Sequence, residues 1–119
     1  MTDNKLAFVE EVLELSFGYG IDAIWYNIET RRPNFSYSEK IEEFCYILKY
    51  AMERRVLKIA DEGVFLEGTP QEISERFKSS FPASEEKMSD VLFSLDSDDN
   101  FWMPGGAVWI CSDGDKIWT

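Results

Sequence analysis

Apolar residues recur at helical spacing through most of the first half of the chain. Leu6, Val9, Val12, Leu13 and Phe17 form one stripe, with Glu10, Glu11 and Glu14 turned away from it. That pattern predicts a helix starting at Thr2 or Asp3, whose side-chain oxygens can accept from the free amides of a first turn. Gly18-Tyr19-Gly20 interrupts the stripe, because two glycines so close together favour a cap or a kink. The spacing resumes with Ile21, Ile24, Trp25 and Ile28 and should end before Pro33. Residues 31–37 read as a loop pinned to the body by Phe35 and Tyr37. A second long helix is expected with Ser38 as its cap and Glu39 at its positive end. Its stripe is Ile41, Phe44, Cys45, Leu48, Met52, Val56 and Ile59, with Arg54, Arg55 and Lys58 toward the negative end.

The pattern changes near Gly63. Gly63-Val64-Phe65-Leu66-Glu67-Gly68 reads as a short strand between glycines. Thr69-Pro70-Gln71-Glu72 is a capping box with proline at the first helical position, opening a helix through Ile73 and Phe77 that stops before Pro82. Ser84-Glu85-Glu86-Lys87 can start another helical segment carrying Met88, Val91, Leu92 and Leu95, although Val91-Leu92-Phe93-Ser94-Leu95 fits a strand as well. Residues 107–111 read as a strand, Asp113-Gly114 as a tight hairpin turn, and Lys116-Ile117-Trp118 as the returning strand. The expectation is one α+β domain over residues 1–119. Its N-terminal helical layer (residues 1–62, mainly helical) packs with a short helix and a small C-terminal antiparallel sheet (residues 63–119, mixed).

Composition changes this picture mainly by exclusion. The chain has 119 residues, 45% hydrophobic and 15% aromatic, which is too apolar for a disordered acidic chain. It has no histidine, so Ser-His-Asp and Cys-His nucleophile pairs cannot be assembled within it. Cys45 and Cys111 are the only thiols, widely separated, and read as small core residues; neither a zinc site nor any other cofactor site is expected. With 23 Asp+Glu against 12 Lys+Arg the formal charge is −11, which opposes nucleic-acid binding and suits a basic protein partner. There is no secretory signal pattern and no apolar run long enough for a membrane span, so a cytoplasmic location is expected.

Three tempting motifs fail on their details. A calcium loop begun at Asp96 would place Phe101 where glycine is needed and Ala107 where the closing glutamate belongs. Pro104-Gly105-Gly106 lacks the lysine and hydroxyl of a phosphate loop, and Gly18-Tyr19-Gly20 lacks the preceding strand of a dinucleotide fingerprint. Adjacent glutamates such as Glu42-Glu43 diverge around a helix and do not converge as a catalytic pair. The acidic, tryptophan-rich tail is different. From Asp90 onward there are six acids, one base and three of the four tryptophans. Trp25 and Trp109 suit core positions, whereas Trp102 and Trp118 lie beside acids and turns. The candidate partner-binding set is therefore Asp96, Asp98, Asp99, Asp113 and Asp115 for the acidic field, with Trp102 as aromatic anchor.

Gly63-Val64-Phe65-Leu66-Glu67-Gly68-Thr69-Pro70-Gln71-Glu72 and Phe101-Trp102-Met103-Pro104-Gly105-Gly106-Ala107-Val108-Trp109-Ile110 resemble a family of small acidic bacterial proteins of unknown function. Some of these lie near contact-dependent growth-inhibition and other polymorphic toxin loci. The resemblance implies an immunity-type role, in which the protein binds and neutralises one basic toxin domain, and it brings no catalytic residues with it. The alternatives are a small enzyme working through carboxylates and a structural homodimeric subunit joined through apolar helix faces.

Overall fold

The computed structural model describes residues 2–86 and 103–119. Among the described residues four helices and four strands follow in the order α1 (Thr2–Ser16), α2 (Asp22–Arg31), α3 (Tyr37–Glu53), β1 (Leu57–Asp61), β2 (Val64–Phe65), α4 (Pro70–Ser80), β3 (Gly106–Ile110) and β4 (Lys116–Trp118). The strands form one antiparallel sheet in the order β2-β1-β3-β4, with the helices gathered mostly in the N-terminal half. The fold is α+β.

The apolar stripes of α1, α2 and α3 meet in one core: Val9, Val12, Ile24, Ile28, Phe44 and Leu48 are all fully buried. An aromatic cluster joins α2 and α3 to the end of α4. Trp25 lies 6.0 Å from Phe44 and 5.2 Å from Phe81, and Phe44 lies 5.9 Å from Phe77 (ring centroids). Such tilted and edge-on pairs add to the area they bury. The predicted capping box at Thr69 is present in both directions, with Glu72 N–H donating to Thr69 Oγ1 at 3.1 Å and Thr69 N–H donating to Glu72 Oε1 at 2.8 Å.

Two expectations need correction. The α3 cap is Ser36, not Ser38, and it forms the same reciprocal box with Glu39 (3.1 Å and 2.8 Å). The helix also stops at Glu53. Arg54 is its C-cap, Arg55 takes a left-handed φ of 61°, and the chain turns into β1. Val56 and Ile59 therefore do not continue a helical stripe. The change from helix to strand falls at Leu57, ahead of Gly63, and β1 becomes a central strand. The bases expected at the helix end are dispersed with it: Arg54 stays at the cap, whereas Lys58 stands on β1. Helix and strand spacing coincide over so short an apolar run, which is why Leu57-Lys58-Ile59-Ala60 misled.

The cross-strand register gives the sheet two distinct faces. Leu57 opposes Trp109 and Ile59 opposes Ala107, and these four belong to the main core. On the other face Lys58 opposes Val108, Val108 opposes Trp118, and Ala60 opposes Phe65. Gly105 is fixed by close approach: a Cβ there would stand 2.7 Å from the carbonyl oxygen of Ala60.

Trp109 is fully buried, and its Nε1–H donates to the carbonyl of Tyr19 at 2.7 Å, tying β3 to the α1–α2 connection. Replacing Trp109 with Phe keeps an aromatic ring but orphans that carbonyl and leaves a void. The expected loss is about 2–4 kcal/mol of unfolding free energy, measured by urea denaturation. An unchanged midpoint would show that the tie contributes nothing.

Candidate functional site

Of the sequence-nominated residues, Asp113 and Asp115 fall within the described part of the chain. Asp96, Asp98, Asp99 and Trp102 lie outside the described residues, as do Met88, Val91, Leu92 and Leu95 of the suggested extra helix or strand. Asp113 and Asp115 are exposed in the β3–β4 turn, and Asp113 serves the turn itself, its Oδ1 accepting from the Asp115 amide at 3.0 Å. That turn stands at the end of the sheet where β1 begins, since Ile110 N–H donates to Val56 O at 2.9 Å. Arg54 and Arg55 immediately precede Val56 and temper the negative field there.

A second acidic group occupies the opposite end of the sheet, about 15 Å away along the strands. Asp61 ends β1, and Glu62 with Gly63 makes the two-residue turn into β2, both with left-handed φ (50° and 82°). Such a turn normally favours Asn-Gly, so a glutamate there carries local strain of about 1 kcal/mol. Asp22, in the first turn of α2, comes to the same end of the sheet. Between these elements lies a cleft of ≈ 510 Å³. Gly105 and Gly106 from the start of β3 and Thr119 beyond β4 also line it, with Ala60 and Val108 among its apolar walls.

Trp118 stands at this cleft. It is 51% exposed, and its ring stacks on Phe65 at 5.2 Å with 23° between planes. The pair reaches across the outer face of the sheet over Ala60 and Val108, which are buried although they belong to no part of the main core. Lys58 adds its ammonium over the Phe65 ring at 4.7 Å. An exposed indole beside three carboxylates thus occurs at Trp118. The sequence offered Trp118 as a partly exposed residue, but Asp22, Asp61 and Glu62 were not nominated.

Two further groups are structural. Lys40 is buried, and its Nζ bonds Glu29 at 3.1 Å and Glu85 at 2.8 Å. Burial alone would lower its pKa, but the hydrogen bonds it donates to Glu85 and Glu29, with their charges, outweigh that and raise it. This ion cluster clamps the start of α3 to α2 and to the residues after Pro82, where Tyr37 also donates to the Pro82 carbonyl at 2.7 Å. Cys45 and Cys111 are free thiols, the first buried and the second half-buried. Among the described residues no three acids or cysteines come together closely enough to hold a metal ion, and no helix is long and apolar enough to cross a membrane.

Residues 52–119 match a family described as protein of unknown function, DUF596. The chain belongs to that family. The matched stretch contains the whole sheet, α4, Trp118 and two of the three cleft carboxylates. A solved structure of an uncharacterized protein conserved in bacteria, from Neisseria meningitidis, is similar to this DUF596 chain with a TM-score of 0.72 at 20% identity. The likeness covers 98% of this chain and 91% of that one, and at such identity it shows a shared fold alone. No curated protein matches the chain.

Burial is the first cause raising the Cys45 thiol to about 12, with the nearby Glu42 charge adding to it. The folded pKa lies above the unfolded one, so this contribution to stability is complete below the unfolded value of about 9. It is lost as pH rises toward 12. Iodoacetamide at pH 8.5 should therefore modify Cys111 and spare Cys45 until the protein unfolds, as read by mass spectrometry. A Cys45→Ala variant should lose less stability than the parent between pH 9 and pH 11. Equal losses would remove Cys45 as a source of that pH dependence.

Proposed function

We propose that this DUF596 chain is a non-catalytic acidic binding protein, an immunity-type inhibitor that occupies and neutralises a basic toxin domain in the cytoplasm. The observation that carries the reading is the half-exposed Trp118 stacked on Phe65 beside the carboxylates of Asp22, Asp61 and Glu62. A large aromatic ring with one open face, surrounded by charge of one sign, has the character of an interface hot spot. The surrounding acids extend the same logic to longer range. A net charge of −11 steers a basic partner toward the surface, and Asp113 and Asp115 at the far end of the sheet contribute to that field.

Trp118 takes the role of aromatic anchor in this reading. Inhibition by occlusion requires a rigid, charged face and no chemistry of the inhibitor's own. The sheet supplies the rigidity, because β1 and β3 are held between the helical core and the outer aromatic pair.

The test is affinity purification of the tagged protein from the cell that encodes it, at low and moderate salt, followed by a toxicity assay on the partner. The expected outcome is one stoichiometric basic protein whose toxic activity is suppressed by the wild-type chain. Trp118→Ala should weaken that complex about 30-fold, the loss of a hot-spot side chain. Asp61→Lys with Glu62→Lys should slow association about tenfold and flatten its salt dependence. Circular dichroism of each variant controls for folding. A partner bound equally well by all three proteins would sink this placement of the interface, and a partner with no suppressible toxicity would sink the immunity role.

A further inference from the structure

Four glycines bring main chain to the cleft beside Trp118. Gly20, Gly63, Gly105 and Gly106 all face it, from three separate parts of the chain. Its apolar surface includes the buried side chains of Ala60 and Val108, and its mouth carries the open half of Trp118. Asp22, Asp61 and Glu62 line it, and no lysine or arginine does so among the described residues. At ≈ 510 Å³ it has room for one long side chain with some of its water.

Charge and geometry discriminate among the occupants. An anion would meet three carboxylates. The start of α2 does not offset them, because Ala23 N–H and Ile24 N–H already bond to the carbonyls of Gly20 and Ile21 (3.0 Å and 3.2 Å) and Asp22 adds its own charge. A metal ion needs converging ligands, and these carboxylates do not form such a group. An uncharged apolar group would strip water from the carboxylates without replacing it. A guanidinium meets each demand. Its fork of donors can satisfy carboxylates on more than one side, its flat face stacks on indole, and its methylene stem suits the apolar surface of Ala60 and Val108. The chain already uses a cation on the same sheet face, where the Lys58 ammonium lies over Phe65, the stacking partner of Trp118.

The geometry points to this cleft as the receptor for an arginine side chain projecting from the partner protein, an assignment that rests on the reading of a basic protein partner. Recognition is then specific at one residue within a surface whose remaining attraction is long-range.

The test uses the full-length protein labelled with 15N and the peptide acetyl-Gly-Arg-Gly-amide, with its lysine and citrulline counterparts as controls. Saturable shifts are expected at the amides of Gly63, Gly105 and Gly106 and at the Trp118 indole. The lysine peptide should bind about fivefold more weakly, and the citrulline peptide, which keeps the shape without the charge, should not bind. Gly106→Val blocks the cleft selectively. A Cβ at this position meets only the Thr119 carbonyl oxygen, at 3.9 Å, and valine suits a strand. This variant should lose arginine binding with its fold intact. Should it fail to fold, Asp61→Asn with Glu62→Gln is the substitute and should weaken binding about tenfold. Absent or scattered shifts, equal binding of the citrulline peptide, or undiminished binding by a folded Gly106→Val would overturn the assignment. The two readings fail separately. A basic partner that binds Gly106→Val as tightly as wild type removes the arginine receptor and leaves the inhibitor. Arginine titrating into the cleft without any partner protein does the reverse.

Discussion

The indole N–H of Trp109 has nowhere to go but the carbonyl of Tyr19, and much of the architecture follows from that constraint. Trp109 sits on the core face of β3, opposite Leu57 and Ile117, with no solvent contact. A buried donor left unpaired costs more than an ordinary hydrogen bond returns, so the site must supply an acceptor. A carbonyl within a continuous helix is committed to its own ladder, and one in the break between α1 and α2 is free. Gly18, with a φ of 86°, makes the break, and Phe17 packs its ring 5.4 Å from the indole. The connection is thereby fastened to the sheet, and the residues after Tyr19, namely Gly20, Ile21 and Asp22, become a wall of the cleft. The same interaction that joins the two layers positions a carboxylate at the candidate site.

Much of this fold was legible because its signals are local. The Thr69 capping box, the α1 and α2 stripes, the break at Gly18 and the Asp113-Gly114 turn each need only a few neighbouring residues to specify them. What escaped was set by tertiary context. Leu57-Lys58-Ile59-Ala60 continues the stripe of α3 well enough to read as helix, yet it pairs with β3 from the far end of the chain. Arg55 in a left-handed conformation carries no residue signal, since glycine or asparagine would be the usual marker. Ser36 and Glu39 did form a recognisable box, two residues ahead of the cap expected at Ser38, and the first apolar residue of the stripe gave the wrong cue.

The candidate site was less legible for a different reason. Aspartates clustered in sequence drew attention to the tail, whereas the cleft carboxylates come from three separate elements. Asp22 belongs to a helix, Asp61 to a strand and Glu62 to a turn, and only the antiparallel register brings the end of β1, the start of β3 and the end of β4 to one edge. Trp118 was visible as a tryptophan beside acids. Its open face depends on the stack with Phe65, a partner from the opposite edge strand, reached across the outer face of the sheet. The preference of the Glu62-Gly63 turn for a residue other than glutamate was the one sequence signal that could have marked this end of the molecule.

The basic residues explain why an acidic surface of this kind persists once the chain is folded. Lys40 is consumed by Glu29 and Glu85, Arg31 pairs with Glu11, and Lys78 with Glu42. Lys5, Arg32, Arg54 and Lys58 lie over the rings of Tyr46, Phe8, Tyr50 and Phe65. Cations are the scarcer charge, and the fold commits more than half of them to its own contacts. The carboxylates left over include the exposed Asp22, Asp61 and Glu62 that line the cleft. Charges of one sign gathered at one end of the sheet sum to a field that reaches beyond their own contacts and favours a matching cation. The fold thus concentrates unmatched charge next to the most exposed indole among the described residues, which is the combination the proposed basic partner requires.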